Sequence, residues 1–148
     1  MLAHLTHKTI HLLDRVLQHT AVWAQIPEHQ RTGRWGEEEA YFYLRKLGYV
    51  IVARNYRSAR RRGEIDLIGW ERDVLCFIEV KTRSTRDVKP AEAAVDHDKQ
   101  YELRGVAHEY LRHLHGTPTW RFDVVSVYCD QPSGKAEMEL FKNAFPVS

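Results

Sequence analysis

Within "GEIDLIGWERDVLCFIEVKTR", residues 63–83, three charged side chains sit where charge is expensive: Asp66, Glu79 and Lys81. Both halves of the stretch read as buried strands, and strand side chains alternate between faces. Asp66 therefore shares a face with Ile68 and Trp70, and Glu79 and Lys81 share one with Leu75 and Phe77. If Arg72 and Asp73 form the tip of a symmetric hairpin, Asp66 falls opposite Glu79, with Cβ atoms ~5 Å apart. Two carboxylates meeting away from water need a cation or a shared proton. Mg²⁺ is the natural candidate, because it takes oxygen ligands and is often held by one or two carboxylates plus substrate phosphate. Lys81 could then hold a water or offset charge on a phosphoryl group. The simpler alternative is a salt bridge of Lys81 with either acid, in which nothing reacts. Three such residues together on buried strands favour a site.

The elements that must position this group follow from periodicity. Strands are expected over 49–55, 64–70 and 74–82, then over 120–129, with a short last one over 138–145. A helix fits residues 34–48, with Gly48 as its stop and Ala40, Leu44 and Leu47 on its inner face. Glu37 lies on that same stripe. It is either a further acid of the site or one of three acids, Glu37 to Glu39, that complement the helix dipole. Another helix ends near Gly116, with Leu103, Ala107, Tyr110, Leu111 and Leu114 at helical spacing, and Lys99 extends its stripe by one turn. Residues 2–25 form an amphipathic helix with Leu5, Leu12, Leu13, Val16 and Leu17 on one stripe. Pro27 and the polar run "PEHQRTG" should end it and act as a linker. The chain thus divides into an N-terminal helical extension, 1–30, and a domain, 31–148. His7 and His11 are one turn apart, but no acid or cysteine accompanies them, so solvated histidines are the expectation.

The 148 residues carry 43% hydrophobic and 28% charged side chains, which excludes a disordered or fibrous chain. A net charge of +2 and a pI near 8.6 permit an anionic partner without demanding one. Cys76 and Cys129 lie in apolar runs and are expected as reduced core thiols. No signal-peptide layout and no stretch approaching a membrane span is present, so a soluble cytoplasmic protein is expected. Arg57, Arg60, Arg61 and Arg62 stand just before the strand of Asp66, and Arg83 follows Lys81 closely. Such residues either remain solvated or hold phosphates without reading sequence. Tyr56 and Trp70 could stack on an unpaired base, although core packing is the commoner use of strand aromatics.

Asp66…Glu79-Val80-Lys81, with Glu37 on a preceding helix, resembles the PD-(D/E)XK signature of the restriction-endonuclease-like superfamily. More closely, "GEIDLI", "FIEVKTR", "ARNYR", "AAVDHDKQYEL" and "RFDVV" resemble the YraN-like family of small bacterial proteins, near Holliday-junction resolvase-like members. The likeness runs from about Gly33 to Cys129 and leaves the first ~30 residues, the amphipathic helix, outside it. Ile65 stands where the signature carries proline. The resemblance implies an α/β fold with an α-β-β-β-α-β core, and Mg²⁺-dependent hydrolysis of nucleic-acid phosphodiesters, with Mn²⁺ as a substitute. It puts Asp66 and Glu79 at the metal-ligand positions and Lys81 at the water-positioning one. Glu37 takes the position of a helix acid, and Lys99 that of an auxiliary polar residue. The expected function is a DNA nuclease acting on branched or structured forms, for which a two-fold homodimer would suit junction cleavage. The superfamily also contains members that bind without cutting, so a non-cleaving nucleic-acid module is the alternative.

Overall fold

In the computed structural model the described residues are 28–83, 95–129 and 136–148, with side chains described from 32. The chain divides into two compact units, Met1–Arg34 and Trp35–Ser148. The N-terminal amphipathic stripe, His7 and His11, and Pro27 lie outside the described residues.

Helix α1 spans Glu28–Lys46. It begins six residues before the expected start, so the polar run after Pro27 is helical and not a linker. Glu28 to Arg31 carry no apolar stripe, and periodicity alone could not assign them. The helix stops where Gly48 takes φ +92°, a left-handed value that glycine adopts without a steric penalty. Ala40 and Leu44 are fully buried, but Leu47 is 49% exposed, because it falls in the turn after the helix has ended.

Three strands follow: β1 (Val50–Arg57), β2 (Glu64–Glu71) and β3 (Val74–Arg83). Helix α2 (His97–Arg112) crosses over to β4 (Thr119–Tyr128), and β5 (Glu137–Phe145) completes one five-stranded sheet in the order β1-β2-β3-β4-β5. Only β3 and β4 run parallel; the other neighbours are antiparallel. This is the expected α-β-β-β-α-β order, with one added edge strand.

Central strand β3 is covered on both faces, which explains its nearly continuous apolar run. Leu75 and Phe77 face α2 and pack with Leu103, Val106, Phe122 and Val124. Cys76, Ile78 and Val80 face α1 and pack with Ala40, Leu44, Leu67 and Val125. Trp70 and Tyr56 join the α2-side core, where the Tyr56 and Tyr110 rings meet edge to face at 5.0 Å. Both aromatics are thus packing residues. Neither cysteine forms a disulfide; Cys76 is buried as expected. Cys129 is exposed and not a core thiol, because β4 ends one residue before it.

On the α1 face, Asp123 is fully buried and satisfied. Arg121 Nε donates to its Oδ1 at 2.7 Å and Arg121 Nη2 to its Oδ2 at 3.0 Å, and the Asn143 amide adds a bond at 2.9 Å. Arg121 also reaches Glu71 at 2.6 Å, which ties β4 to the β2–β3 hairpin. These mutual bonds hold the Arg121 guanidinium firmly protonated and account structurally for the "RFD" of β4.

Candidate active site

The hairpin of β2 and β3 has the expected register, from Glu71 opposite Val74 to Leu67 opposite Ile78, with Arg72 at φ +52° in the tip. The ladder ends there, one step short of the pair that would set Asp66 directly against Glu79. Asp66 instead turns its carboxylate onto β3, where Oδ2 accepts the Val80 amide at 2.7 Å. A side chain thus replaces the backbone partner at the point where the strands separate.

Glu79 points to the α2 face and is 5% exposed. Its Oε1 meets Lys81 Nζ at 3.0 Å and Lys99 Nζ, from the first turn of α2, at 3.6 Å. Its Oε2 is buried without a hydrogen-bond partner. An unsatisfied buried carboxylate oxygen is costly, since a lost hydrogen bond to a charged group amounts to more than ~1–3 kcal/mol.

Asp66 is pushed up to about 8. Burial is the largest cause and the Glu79 carboxylate the next, with Glu37 adding to both; the Val80 amide and Lys99 act in the opposite sense. Near neutral pH the pocket therefore favours a proton on Asp66, or a cation in its place.

Glu37 arrives from α1. Gly36 makes this approach possible: a Cβ there would lie 1.9 Å from Thr82 Oγ1, so the helix meets β3 at a spacing only glycine allows. Glu37 Oε2 accepts from Asn55 Nδ2 at 2.9 Å. Asn55, on β1 between the Arg54–Leu67 and Tyr56–Ile65 pairs, lies level with Asp66 of β2 and takes φ +49°, a conformation asparagine tolerates better than most residues. Its part in the site was not read from the sequence. An asparagine inside a β-rich run was the available signal.

Asp66, Glu79, Lys81, Lys99 and Glu37 thus converge at one end of the β2–β3 hairpin. Arg57 and the arginines of the 60–62 loop lie along other surfaces. Arg57 pairs with Glu64 on the neighbouring strand. Arg57 and Arg60 border a cleft of about 370 Å³ with Glu109 and Arg112. Arg60, Arg61 and Arg62 border a second depression of about 680 Å³ along α2. Gly63, at φ +109°, turns this loop onto Glu102 and Val106, which sends the arginines along α2 and not toward the acids. Arg83 ends β3 opposite Tyr128.

Two carboxylates fit a small hard cation, since Mg²⁺ keeps several waters and needs few protein ligands. Among the described residues no set of three or more His, Cys, Asp or Glu side chains is arranged to hold a metal. The coordination would therefore rest on Asp66 and the open Glu79 oxygen, with water and substrate oxygens completing it.

A mixed sheet flanked by helices, with an acid on β2 and a Glu-x-Lys on β3, defines a restriction-endonuclease-like domain. The model of the family described as "Uncharacterised protein family UPF0102" matches residues 36–127. A UPF0102 protein of Koribacter versatilis is 53% identical over 144 residues, covering 97% of this chain and 96% of its own. One from Solibacter usitatus is 48% identical over 116 residues, covering 76% and 84%, and one from Symbiobacterium thermophilum is 44% identical over 117 residues, covering 78% and 97%. The chain belongs to the UPF0102 family, the YraN-like proteins. Among the described residues no helix is long and apolar enough to cross a membrane.

Proposed function

We propose that this protein is a metal-dependent nuclease that hydrolyses DNA phosphodiester bonds, with branched or otherwise structured DNA as its substrate form. The observation that carries the reading is the buried, unpartnered Oε2 of Glu79 beside an Asp66 whose carboxyl is pushed far above its ordinary range. A buried acid beside a partly buried one, with one vacant oxygen, is a poor structural salt bridge and a good cation seat. Asp66 and Glu79 would hold Mg²⁺ or Mn²⁺. When bound, such an ion supplies Lewis acidity at a phosphoryl oxygen and lowers the pKa of water.

The remaining work falls to the chain. Lys81, beside Glu79, orients the attacking water and offsets charge on the phosphoryl oxygens. Lys99 adds a second positive charge from α2. The Val80 amide fixes the Asp66 carboxylate, and Asn55 fixes that of Glu37.

The test is cleavage of junction, flap and single-stranded DNA with and without Mg²⁺, using Asp66→Ala and Glu79→Ala beside the wild type. Metal-dependent product from the wild type alone is expected. Equal product from Asp66→Ala would refute the assignment.

One observation favours a second reading, a non-cleaving nucleic-acid module: Lys81 and Lys99 both engage Glu79 Oε1, a closed cluster of charges. That reading predicts salt-sensitive DNA binding that persists in Asp66→Ala, with no cut product under any metal.

A further inference from the structure

Helix α2 presents an outward stripe that the acids do not use. Tyr101, Gly105 and His108 follow one another at helical spacing, and the glycine leaves a gap in the middle of the row. Glycine inside a helix is unfavourable by ~1 kcal/mol relative to alanine, so its place here needs a reason. Its local surroundings supply one. The Arg61 side chain lies over the gap, with Cδ 3.5 Å from where a Cβ would stand, and the depression along this stripe has a volume of about 680 Å³.

The lining is chemically uneven. Arg60, Arg61, Arg62 and Arg104 all line it, with Glu102 and Ser148 beside them. Arg104 is held in place: its Nε donates to the Pro146 carbonyl at 2.9 Å and its Nη2 to Gln100 at 3.2 Å. Tyr101 is 74% exposed, the most exposed of the large hydrophobic side chains described. An aromatic ring left in water beside four guanidinium groups suits a ligand that brings both a flat π-face and repeated negative charge. A nucleotide strand with its bases unpaired has both properties; in a duplex the bases are stacked on one another and no free face is offered.

We infer that this groove holds an unpaired nucleic-acid strand, with a base stacked on Tyr101 and the backbone phosphates on Arg60 to Arg62 and Arg104. The inference rests on the proposed nuclease reading for its place in the reaction. From Tyr101 to His108 the groove runs roughly 10 Å along the helix axis, at ~1.5 Å per residue, on the solvent side of α2. The substrate would accordingly carry a single-stranded segment outside the reacting position.

The experiment measures binding, so it stands apart from cleavage. Fluorescence anisotropy in EDTA would follow labelled oligothymidylate, oligouridylate and a blunt duplex on the full chain with Glu79→Gln as background, beside Tyr101→Ala, Arg104→Ala and Gly105→Leu in the same background. The first substitution removes the stacking ring and should weaken single-strand binding roughly tenfold or more. Arg104→Ala should lower the dependence of log affinity on log salt by ~0.7, one phosphate contact. Gly105→Leu fills the gap while raising helix propensity, so it should abolish binding without loss of thermal stability. Preference for either single strand over the duplex, lost in Tyr101→Ala and Gly105→Leu, supports the inference. Duplex binding as tight as single-strand binding, or single-strand affinity unmoved by Tyr101→Ala, overturns it. If these binding results hold while no substrate is ever cut, the nuclease reading fails and the groove assignment stands.

Discussion

Replacing Asp66 with asparagine should stabilise the metal-free protein, and by an amount that grows with pH. The folded carboxyl titrates near about 8 against an ordinary value of 3.8. The unfolded chain therefore releases a proton that the folded one retains. The sign follows from linkage: the fold is favoured most below the unfolded value, and that advantage is lost as pH rises through the folded one. Each unit of difference corresponds to ~1.4 kcal/mol, so at pH 7 the penalty would reach roughly 4 kcal/mol for a wholly buried group. Asp66 is only partly buried, and solvent screening reduces the expected gain for Asp66→Asn to about 2–4 kcal/mol at neutral pH, falling toward zero near pH 4. The asparagine oxygen can still accept the Val80 amide, so packing and hydrogen bonding are retained. Urea denaturation in EDTA between roughly pH 4 and pH 9 measures the difference. Adding Mg²⁺ should stabilise the wild type more than the variant. A difference that stays constant across pH, or an asparagine variant less stable throughout, would refute the electrostatic account of the pocket.

Gly36→Ala should destabilise the domain by ~1–3 kcal/mol despite its better helix propensity, because the new methyl meets Thr82 Oγ1; thermal denaturation checks this. Arg121→Met leaves Asp123 fully buried and stripped of its guanidinium, and should lower stability by ~3–5 kcal/mol in the same assay. A thiol reagent at neutral pH should label Cys129 alone in the folded chain: Cys129 is exposed, while burial pushes the Cys76 thiol up to about 12. Labelling of both before unfolding would contradict the packing of β3.

The hairpin was legible because two apolar strand-like runs flank a polar tip, Arg72-Asp73, about which the register is symmetric. That is enough to bring Asp66 and Glu79 to the same end of two neighbouring strands. The ending of the ladder at Leu67–Ile78 was not legible, because it depends on a side-chain bond from Asp66 to the Val80 amide that competes with backbone pairing. The start of α1 was missed for a different reason, since "EHQRTG" offers no apolar period to read. The paths of Arg60 to Arg62 are set by contacts of Gly63 and Arg61 with α2, forty residues further along, and local pattern carries no information on such packing. Glu37 lies on the predicted stripe, yet its partner Asn55 is known only once α1 and β1 are set side by side.

The Val80 amide proton is held by a side-chain carboxylate and not by a backbone carbonyl of the neighbouring strand, and this gives the molecule an internal reporter. Hydrogen exchange at that single position in the middle of the sheet should track whatever occupies Asp66: a proton, an ion or an amide substituted for the acid. Val80 thus registers events in the acidic pocket from within the sheet.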